Sequence, residues 1–239
     1  MKSVDPRLGN IEGSLCPFDI QDVILDAGTG GGYLLDVLSS RCKCVCAIDV
    51  NSDFLEKIRH GTKRNNVALL QADVSRMPFK SSYFTKIVCT EVLEHLPDPL
   101  AAIDEFHRLL KPGGIGVIAV PTSSSEKLYA ILNRNYCQNQ QEHISILKRQ
   151  QWISLFRKAG LDVFAVRNRN FQLALYWVFR NIFPIKYDPS SGLPLENRFT
   201  DRVFWIVVGR INGITFGGFD WFGRKILPKS WYFYLKKTE

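Results

Sequence analysis

Val23-Ile24-Leu25-Asp26-Ala27-Gly28-Thr29-Gly30-Gly31-Gly32 is an apolar run that ends in an acid and a glycine turn. Three successive large aliphatics predict a buried strand, and the glycines let the chain reverse with its backbone N–H groups bared to a ligand. A helix opening near Tyr33 would point its positive end at that ligand. A second apolar run, Val45-Cys46-Ala47-Ile48, closes at Asp49. A carboxylate at the end of a second strand is placed to accept both hydroxyl protons of a ribose. Together the two runs predict a nucleoside-bearing ligand at the carboxyl ends of parallel strands.

The same alternation of apolar runs and amphipathic stretches continues outward. Strands are expected at residues 43–48, 67–71, 85–90 and 115–120, with helices at about 32–40, 52–60 and 99–110. Asp98-Pro99 reads as an N-cap with proline at the first helical position, and Lys111-Pro112-Gly113-Gly114 as the stop of that helix. After Pro121 the chain turns polar, through Thr122-Ser123-Ser124-Ser125 and then Asn133 to Gln141, which predicts a loop able to cover a ligand as a lid. A helix from Leu147 to Ala159, a strand at Leu161–Val166 and an apolar-basic helix at Phe171–Pro184 follow. A Pro/Gly loop at 188–194 precedes an amphipathic region, broken near Gly213, Gly217 and Gly218. The last strand is expected at Trp231–Leu235.

Composition bounds the function. With 239 residues, 46% of them hydrophobic, the chain can bury one substantial core. No run reaches the roughly 18 apolar residues of a membrane span, and Met1–Pro6 lacks a signal-type apolar stretch, so the expected place is the cytoplasm. Cys42, Cys44 and Cys46 recur every second residue, which suits one face of a strand better than the paired spacing of a zinc site. No metal is therefore expected, and Cys16, Cys89 and Cys137 suggest no disulfide. The net charge of +8 is uneven: residues 169–239 carry 11 Lys/Arg against 5 Asp/Glu and hold 17 of the 29 aromatics.

A nicotinamide dinucleotide and S-adenosylmethionine both fit a glycine loop followed by a second acid. Here the acid Asp26 precedes Gly28-x-Gly30-x-Gly32, where a dinucleotide site usually reads G-x-G-x-x-G. A carboxylate repels a pyrophosphate and attracts the ammonium group of a methionine. S-adenosylmethionine is the better fit, and a nicotinamide-dependent oxidoreductase is the competing reading.

Several further stretches, in order and spacing, carry a resemblance. They are Asp49-Val50-Asn51, Gln71-Ala72-Asp73, Met77-Pro78-Phe79, Glu91-Val92-Leu93-Glu94-His95-Leu96-Pro97-Asp98 and Leu109-Leu110-Lys111-Pro112-Gly113-Gly114, with a weaker echo at His143 and Lys158-Ala159-Gly160-Leu161. With the glycine loop they cover about residues 20–120. The chain resembles the class I S-adenosylmethionine-dependent methyltransferases, in particular the type 11-like group that modifies small molecules, lipids and glycans. The resemblance implies a three-layer, Rossmann-like α/β fold with a seven-stranded, mostly parallel sheet and an antiparallel last strand. Residues 1–168 would form the cofactor-binding core, 169–229 a basic, aromatic helical cap between the sixth and seventh strands, and 230–239 the last strand.

It also implies roles. Gly28, Gly30 and Gly32 would pass the methionine end, beside Asp26. Asp49, followed by Val50, would hold the ribose, and Asp73 with Val74 the adenine edge. Thr90 and Glu91 would border the sulfonium, with His95 shaping the pocket. Thr85 stands where the group usually has an acid, a change expected to affect anchoring of the loop more than cofactor binding. A catalytically silent methyltransferase-like partner protein is a further competitor.

Methyl transfer from a sulfonium depends mainly on alignment, and a hydroxyl acceptor also needs its proton removed. Of the four histidines, His60 and His107 lie on helices, and His143, beside Glu142 at the end of the polar segment, is the candidate base. No Pro-Pro-Tyr-type motif follows the fourth strand, no Pro-Cys pair for cytosine methylation is present, and no acidic cluster of the magnesium-catechol type is evident. A small-molecule, lipid or glycan acceptor remains. In residues 199–227, Val203, Phe204, Val207, Ile211, Ile214, Phe219, Phe222 and Ile226 recur at helical spacing beside Arg202, Arg210, Arg224 and Lys225. Such a segment can pack as a cap over the acceptor pocket or dock on the inner face of a membrane. Nucleic acid is not the expected partner, because the cations are spread among large aliphatics.

Overall fold

Val23–Ala27 forms the strand β1, buried along almost its whole length, and a strand with no polar face needs neighbours on both sides and layers above and below. Its parallel partners are β2 (Cys44–Asp49) on one side and β4 (Phe84–Thr90) on the other, with Leu25 opposite both Cys46 and Ile87. Parallel to these, β3 (Val67–Gln71) lies outside β2, and β5 (Leu110–Pro121) outside β4. With β6 (Leu161–Arg169) and β7 (Ser230–Lys237) the sheet has seven strands in the order β3-β2-β1-β4-β5-β7-β6, mostly parallel with antiparallel last strands. The computed structural model describes residues 10–61, 64–133, 143–182, 198–215 and 218–238. The N-terminal Met1–Pro6, Cys137, the polar segment beyond Asn133 with Glu142, the loop at 188–194 and Gly217 lie outside the described residues.

Alternation along the strands divides the core between the two faces of the sheet. On one, Leu25, Ile87, Cys89, Ile118 and Phe233 meet α3 (Pro99–Leu109) through Ile103 and Phe106, and α5 (Arg149–Lys158) through Trp152 and Phe156. On the other, Ile24, Val45, Ala47, Val117 and Tyr234 meet Leu35 and Leu38 of α1 (Leu35–Ser39) and Ile58 of α2 (Ser52–Gly61). Cys44 and Cys46 share a face of β2, as their period predicts. Cys42 precedes the strand and packs with Cys16 on the opposite side.

Three local expectations differ from the structure. The helix after the glycines begins at Leu35 and lasts five residues, because Gly30 to Leu34 are spent in turns. Its dipole is correspondingly small, and most N–H groups of the turn are bonded within the protein, those of Gly28 and Thr29 to Ile48, that of Gly30 to Asp49 and that of Gly32 to Thr29. Lys111-Pro112-Gly113-Gly114 does not end α3, which stops at Leu109; it loops out of β5, whose pairing with β4 jumps from Phe84–Leu110 to Lys86–Ile115. Ser123–Leu132 is a helix, α4, where the serines predict a loop. Thr122 caps it by accepting the Ser125 N–H at 3.2 Å, and its own hydroxyl donates to the Pro228 carbonyl at 2.7 Å.

The chain divides into two compact units. The first holds residues 1–120, 143–167 and 231–239; the second holds 121–142 and 168–230. In the second unit, Tyr176 and Phe179 of α6 (Phe171–Ile182) pack on Phe204 and Trp205 of α7 (Arg198–Ile214), with Tyr176 stacked on Trp205 at 5.4 Å between ring centroids. Phe171 lies against Phe219 and Gly223 of α8 (Gly218–Ile226), where a Cβ on Gly223 would come within 2.0 Å of its ring. No helix among the described residues is long and apolar enough to cross a membrane.

Candidate functional site

Strand succession reverses at β1, which sends the chain outward to β2 and β3 and receives β4 on its other side. The crevice this leaves at the carboxyl ends of the strands is where open α/β sheets bind ligands. Asp26, Asp49 and Thr90 end β1, β2 and β4 or stand one residue short of the end, so the sheet register itself brings them to one rim.

Asp26 is 3% exposed and its carboxylate accepts the Thr29 hydroxyl at 2.7 Å. Burial, reinforced by the nearby charge of Asp49 and opposed by the Thr29 hydrogen bond, pushes its pKa up to about 6. The turn is closed by the Gly28 and Thr29 N–H groups, which both donate to the Ile48 carbonyl at 2.9 Å. Gly28 has φ +75°, and a Cβ there would lie 2.3 Å from Val92 Cγ2. Gly30 has φ +50° and nothing within 4 Å of the same position, so its backbone is open to a ligand. Gly32 has φ +74° and sits over Ile58.

Asp49 does more than end a strand. One oxygen accepts the Gly30 N–H at 2.8 Å and the other the Asn51 N–H at 2.9 Å, so it ties the glycine turn to β2. A carboxylate has about four lone-pair sites, which leaves acceptor capacity for hydroxyls beyond those two bonds. Val50 is exposed beside it, and the Ala72 N–H donates to the Asp49 carbonyl at 3.1 Å, which brings Asp73 to the same rim. Asp73 accepts the Ser75 N–H and hydroxyl at 2.8 and 2.7 Å in a tight side-chain turn, and Val74 is buried beneath it.

Beyond Thr90 the chain turns sharply. Glu91 has φ +56°, in the left-handed region that costs a non-glycine residue about 1 kcal/mol or more, and its N–H is held by the Ala119 carbonyl at 2.9 Å. That turn aims Val92 under Gly28 and leads to a 3-10 turn at Leu93–His95. His143 comes to the same place from far along the chain. The Ile144 and Ser145 N–H groups donate to the Glu94 carbonyl at 2.8 and 2.9 Å, and the Ser145 hydroxyl donates to the Leu96 carbonyl at 2.7 Å. His95 and His143 meet edge to face with ring centroids 4.9 Å apart. His60 is exposed on α2 near Glu56, and His107 lies on α3 against Gly160, so neither joins this group.

Thr85 lies at the other end of the strands. Its hydroxyl donates to Asp22 at 2.6 Å and accepts the Val23 N–H at 3.1 Å, which anchors the entry to β1 and leaves the glycine turn untouched. Three residues of the site carried no role in the sequence: Thr29 beneath Asp26, Val92 beneath Gly28 and Glu94 beside the histidines. All three stand inside quoted motifs, but only the fold shows what each one touches.

Comparisons with known proteins give the family. Residues 15–166 match a family model described as a methyltransferase domain. The ubiquinone biosynthesis O-methyltransferase of Paracidovorax citrulli is 29% identical over 177 residues, 69% of this chain and 73% of that protein. Its counterpart in Alkalilimnicola ehrlichii is 31% identical over 148 residues, 59% of this chain and 58% of that one; matches in Pseudomonas span half the relative's length. An S-adenosylmethionine-dependent methyltransferase structure from Mesorhizobium loti aligns with TM-score 0.63 at 12% identity, over 96% of this chain and 97% of that one. The [4+2]-cyclase SpnF aligns with TM-score 0.65 at 16% identity, over 97% and 81%, so the fold alone does not dictate methyl transfer. The order of the sheet, the acid-led glycine turn and the family match over most of the first unit make the chain a member of the methyltransferase-domain family.

Proposed function

We propose that the chain moves a methyl group from S-adenosylmethionine to a hydroxyl of a small, lipid-like molecule. The observation that carries the reading is the Asp26 carboxylate, buried under the glycine turn and held within the field of Asp49. A group that burial drives toward protonation is stabilised as an anion by an arriving cation, and the ammonium group of the cofactor's methionine end is one. The open backbone at Gly30 and the close fit of Gly28 on Val92 suit a ligand without phosphate lying along the turn.

In this reading Gly28, Gly30 and Gly32 line the methionine end, and Asp49 accepts ribose hydroxyl protons. Val50 covers one face of the adenine, while Asp73 and the Val74 N–H take its edge. Thr90 and Glu91 border the reacting carbon, the strained turn at Glu91 fixing their direction, and His95 closes the pocket on the acceptor side. When bound, the cofactor supplies an activated methyl on a very good leaving group; the protein's task is alignment and exclusion of water. His143, stitched to the Glu94–Leu96 turn, is placed to take the acceptor's proton. The hydroxyl acceptor is supported by the ubiquinone biosynthesis O-methyltransferase relatives. Titration calorimetry of the full chain with S-adenosylhomocysteine and with NAD tests the cofactor assignment. Saturable S-adenosylhomocysteine binding with no NAD binding is expected; NAD binding alone would sink the reading.

Residues 199–227 support a second element, contact with an anionic bilayer surface. Val203, Ile206, Val207, Ile211 and Ile214 make an exposed stripe on α7, and Trp221 and Phe222 of α8 are 60% and 59% exposed. Arg202, Arg210, Arg224 and Lys225 accompany them, with the Lys225 ammonium 3.7 Å from the centroid of the Trp221 ring. Interfacial aromatics beside cations are what headgroups and anionic lipid select. Trp205 is exposed too, and one face of its ring stacks on Tyr176. The full chain is expected to sediment with phosphatidylglycerol vesicles and not with phosphatidylcholine ones, and Trp221→Ser with Phe222→Ser to abolish this; unchanged sedimentation of that variant would refute the contact.

A further inference from the structure

The geometry points to a divalent transition-metal site formed by Glu94, His95 and His143. One ligand atom from each of the three side chains lies within 4.8 Å of the others. They do not come together by local accident. Glu94 and His95 end the 3-10 turn after β4, whereas His143 belongs to a segment that approaches from beyond α4 and is fastened there. The fastening is specific: two backbone N–H groups reach one carbonyl, Glu94's, and the Ser145 hydroxyl reaches Leu96.

Chemistry narrows the ion. Two imidazoles and one carboxylate form the donor set of catalytic zinc sites, which leave a fourth position open, whereas magnesium and calcium take oxygen almost exclusively. The Glu94 side chain has no exposed surface, so its carboxylate is held inside the group with the two imidazoles and away from water. A tetrahedral ion with bonds of about 2.1 Å holds its ligand atoms about 3.4 Å apart. From a spacing of at most 4.8 Å, that asks the ligand atoms to approach one another by up to about 1.4 Å. Cys89, the nearest thiol along the chain, is buried on the core side of β4 and is not part of the group.

The binding site stands on these residues alone; its catalytic use rests on the methyl-transfer reading. There, the open position would face the acceptor side of Thr90 and Glu91. A hydroxyl bound at a divalent ion gives its proton to water more readily. Its oxygen then forms the bond to the methyl carbon as the carbon–sulfur bond breaks, the electron pair leaving with sulfur. His143 in this state is a ligand and not the proton acceptor, and the ion does the work otherwise assigned to its imidazole.

The test uses the full chain, stripped with a chelator and titrated with Zn2+ by calorimetry, and with Co2+ by visible absorption, whose intensity reports low coordination number. One Zn2+ per chain and an intense Co2+ spectrum are expected. His143→Ala, a change at a partly exposed position, should weaken Zn2+ affinity at least tenfold with unchanged circular dichroism, and His95→Ala likewise. Zn2+ binding that is absent in the wild type, or equal in wild type and both variants, overturns the site. A shift of the pH–rate profile in Glu94→Gln without stoichiometric metal would also overturn it, leaving a hydrogen-bonded carboxylate–imidazole group. S-adenosylhomocysteine is titrated in parallel. Metal binding without it would sink the methyl-transfer reading and leave the site intact, whereas its binding without metal would do the reverse.

Discussion

Asp26 carries a buried charge that costs the fold stability. Its pKa rises from 3.8 to about 6, chiefly through burial. The unliganded fold therefore prefers the protonated acid. That preference stabilises the fold fully below the ordinary value of 3.8 and is lost as pH rises through about 6. Carrying the charge buried at neutral pH costs the unliganded protein about 3 kcal/mol. Asp26→Asn is expected to raise the unfolding midpoint at pH about 8, and to flatten the fall in stability between pH about 4 and 7. In the proposed reading the same change removes the partner of the cofactor's ammonium, a charged hydrogen bond of about 1.5–3 kcal/mol, so S-adenosylhomocysteine affinity should drop ten- to a hundredfold. Thermal unfolding across pH, with calorimetry on the same samples, checks both; a variant as pH-sensitive as the wild type would contradict the assignment. The sequence showed Asp26 and the glycines plainly, because a φ > 0 turn after a buried strand is a local matter. It did not show Thr29 beneath the carboxylate, nor that Asp49 spends two of its lone pairs on Gly30 and Asn51. The Gly30 bond depends on how β1 and β2 align, and the other two on the direction each side chain takes in its own turn.

At the scale of elements, strands were more legible than helix ends. β1 and β3 fall on the expected residues because short apolar runs bounded by polar ones leave little choice. α4 was hidden, since Thr122 to Ser125 read as loop by composition, although threonine followed by serines is also what an N-cap looks like. The difference lies in Thr122, whose hydroxyl holds Ser125 on one side and Pro228 on the other. Ser125 also donates to Pro228, at 2.7 Å, so Thr122→Ala leaves that carbonyl partnered and should cost only the cap, about 1 kcal/mol. Hydrogen exchange in α4 should quicken about fivefold with that variant; exchange unchanged there would show that the cap is idle. The histidine pair was beyond reach of sequence for a different reason. His95 and His143 are brought together by bonds from a distant segment, two backbone N–H groups to the Glu94 carbonyl and the Ser145 hydroxyl to that of Leu96.

For the whole molecule, composition sets a nearly neutral first part against a basic and aromatic last part, and the two compact units cut across that division, with residues 121–142 in the second and 231–239 in the first. The first unit carries the switch point of the sheet, the acid-led glycine turn and the group of Glu94, His95 and His143. The second carries the exposed stripe of α7 and the Trp221–Lys225 pair on which the proposed bilayer contact rests. Shared fold does not prove shared chemistry, as the cyclase among the structural neighbours makes clear. Turnover decides it. With S-adenosylmethionine labelled on its methyl group and a lipid extract as acceptor source, the full chain is expected to transfer label into the organic phase, and Asp26→Asn to lose most of that transfer. Cofactor binding without label transfer into any fraction of the extract would contradict the account and mark the chain as a catalytically silent member of its family.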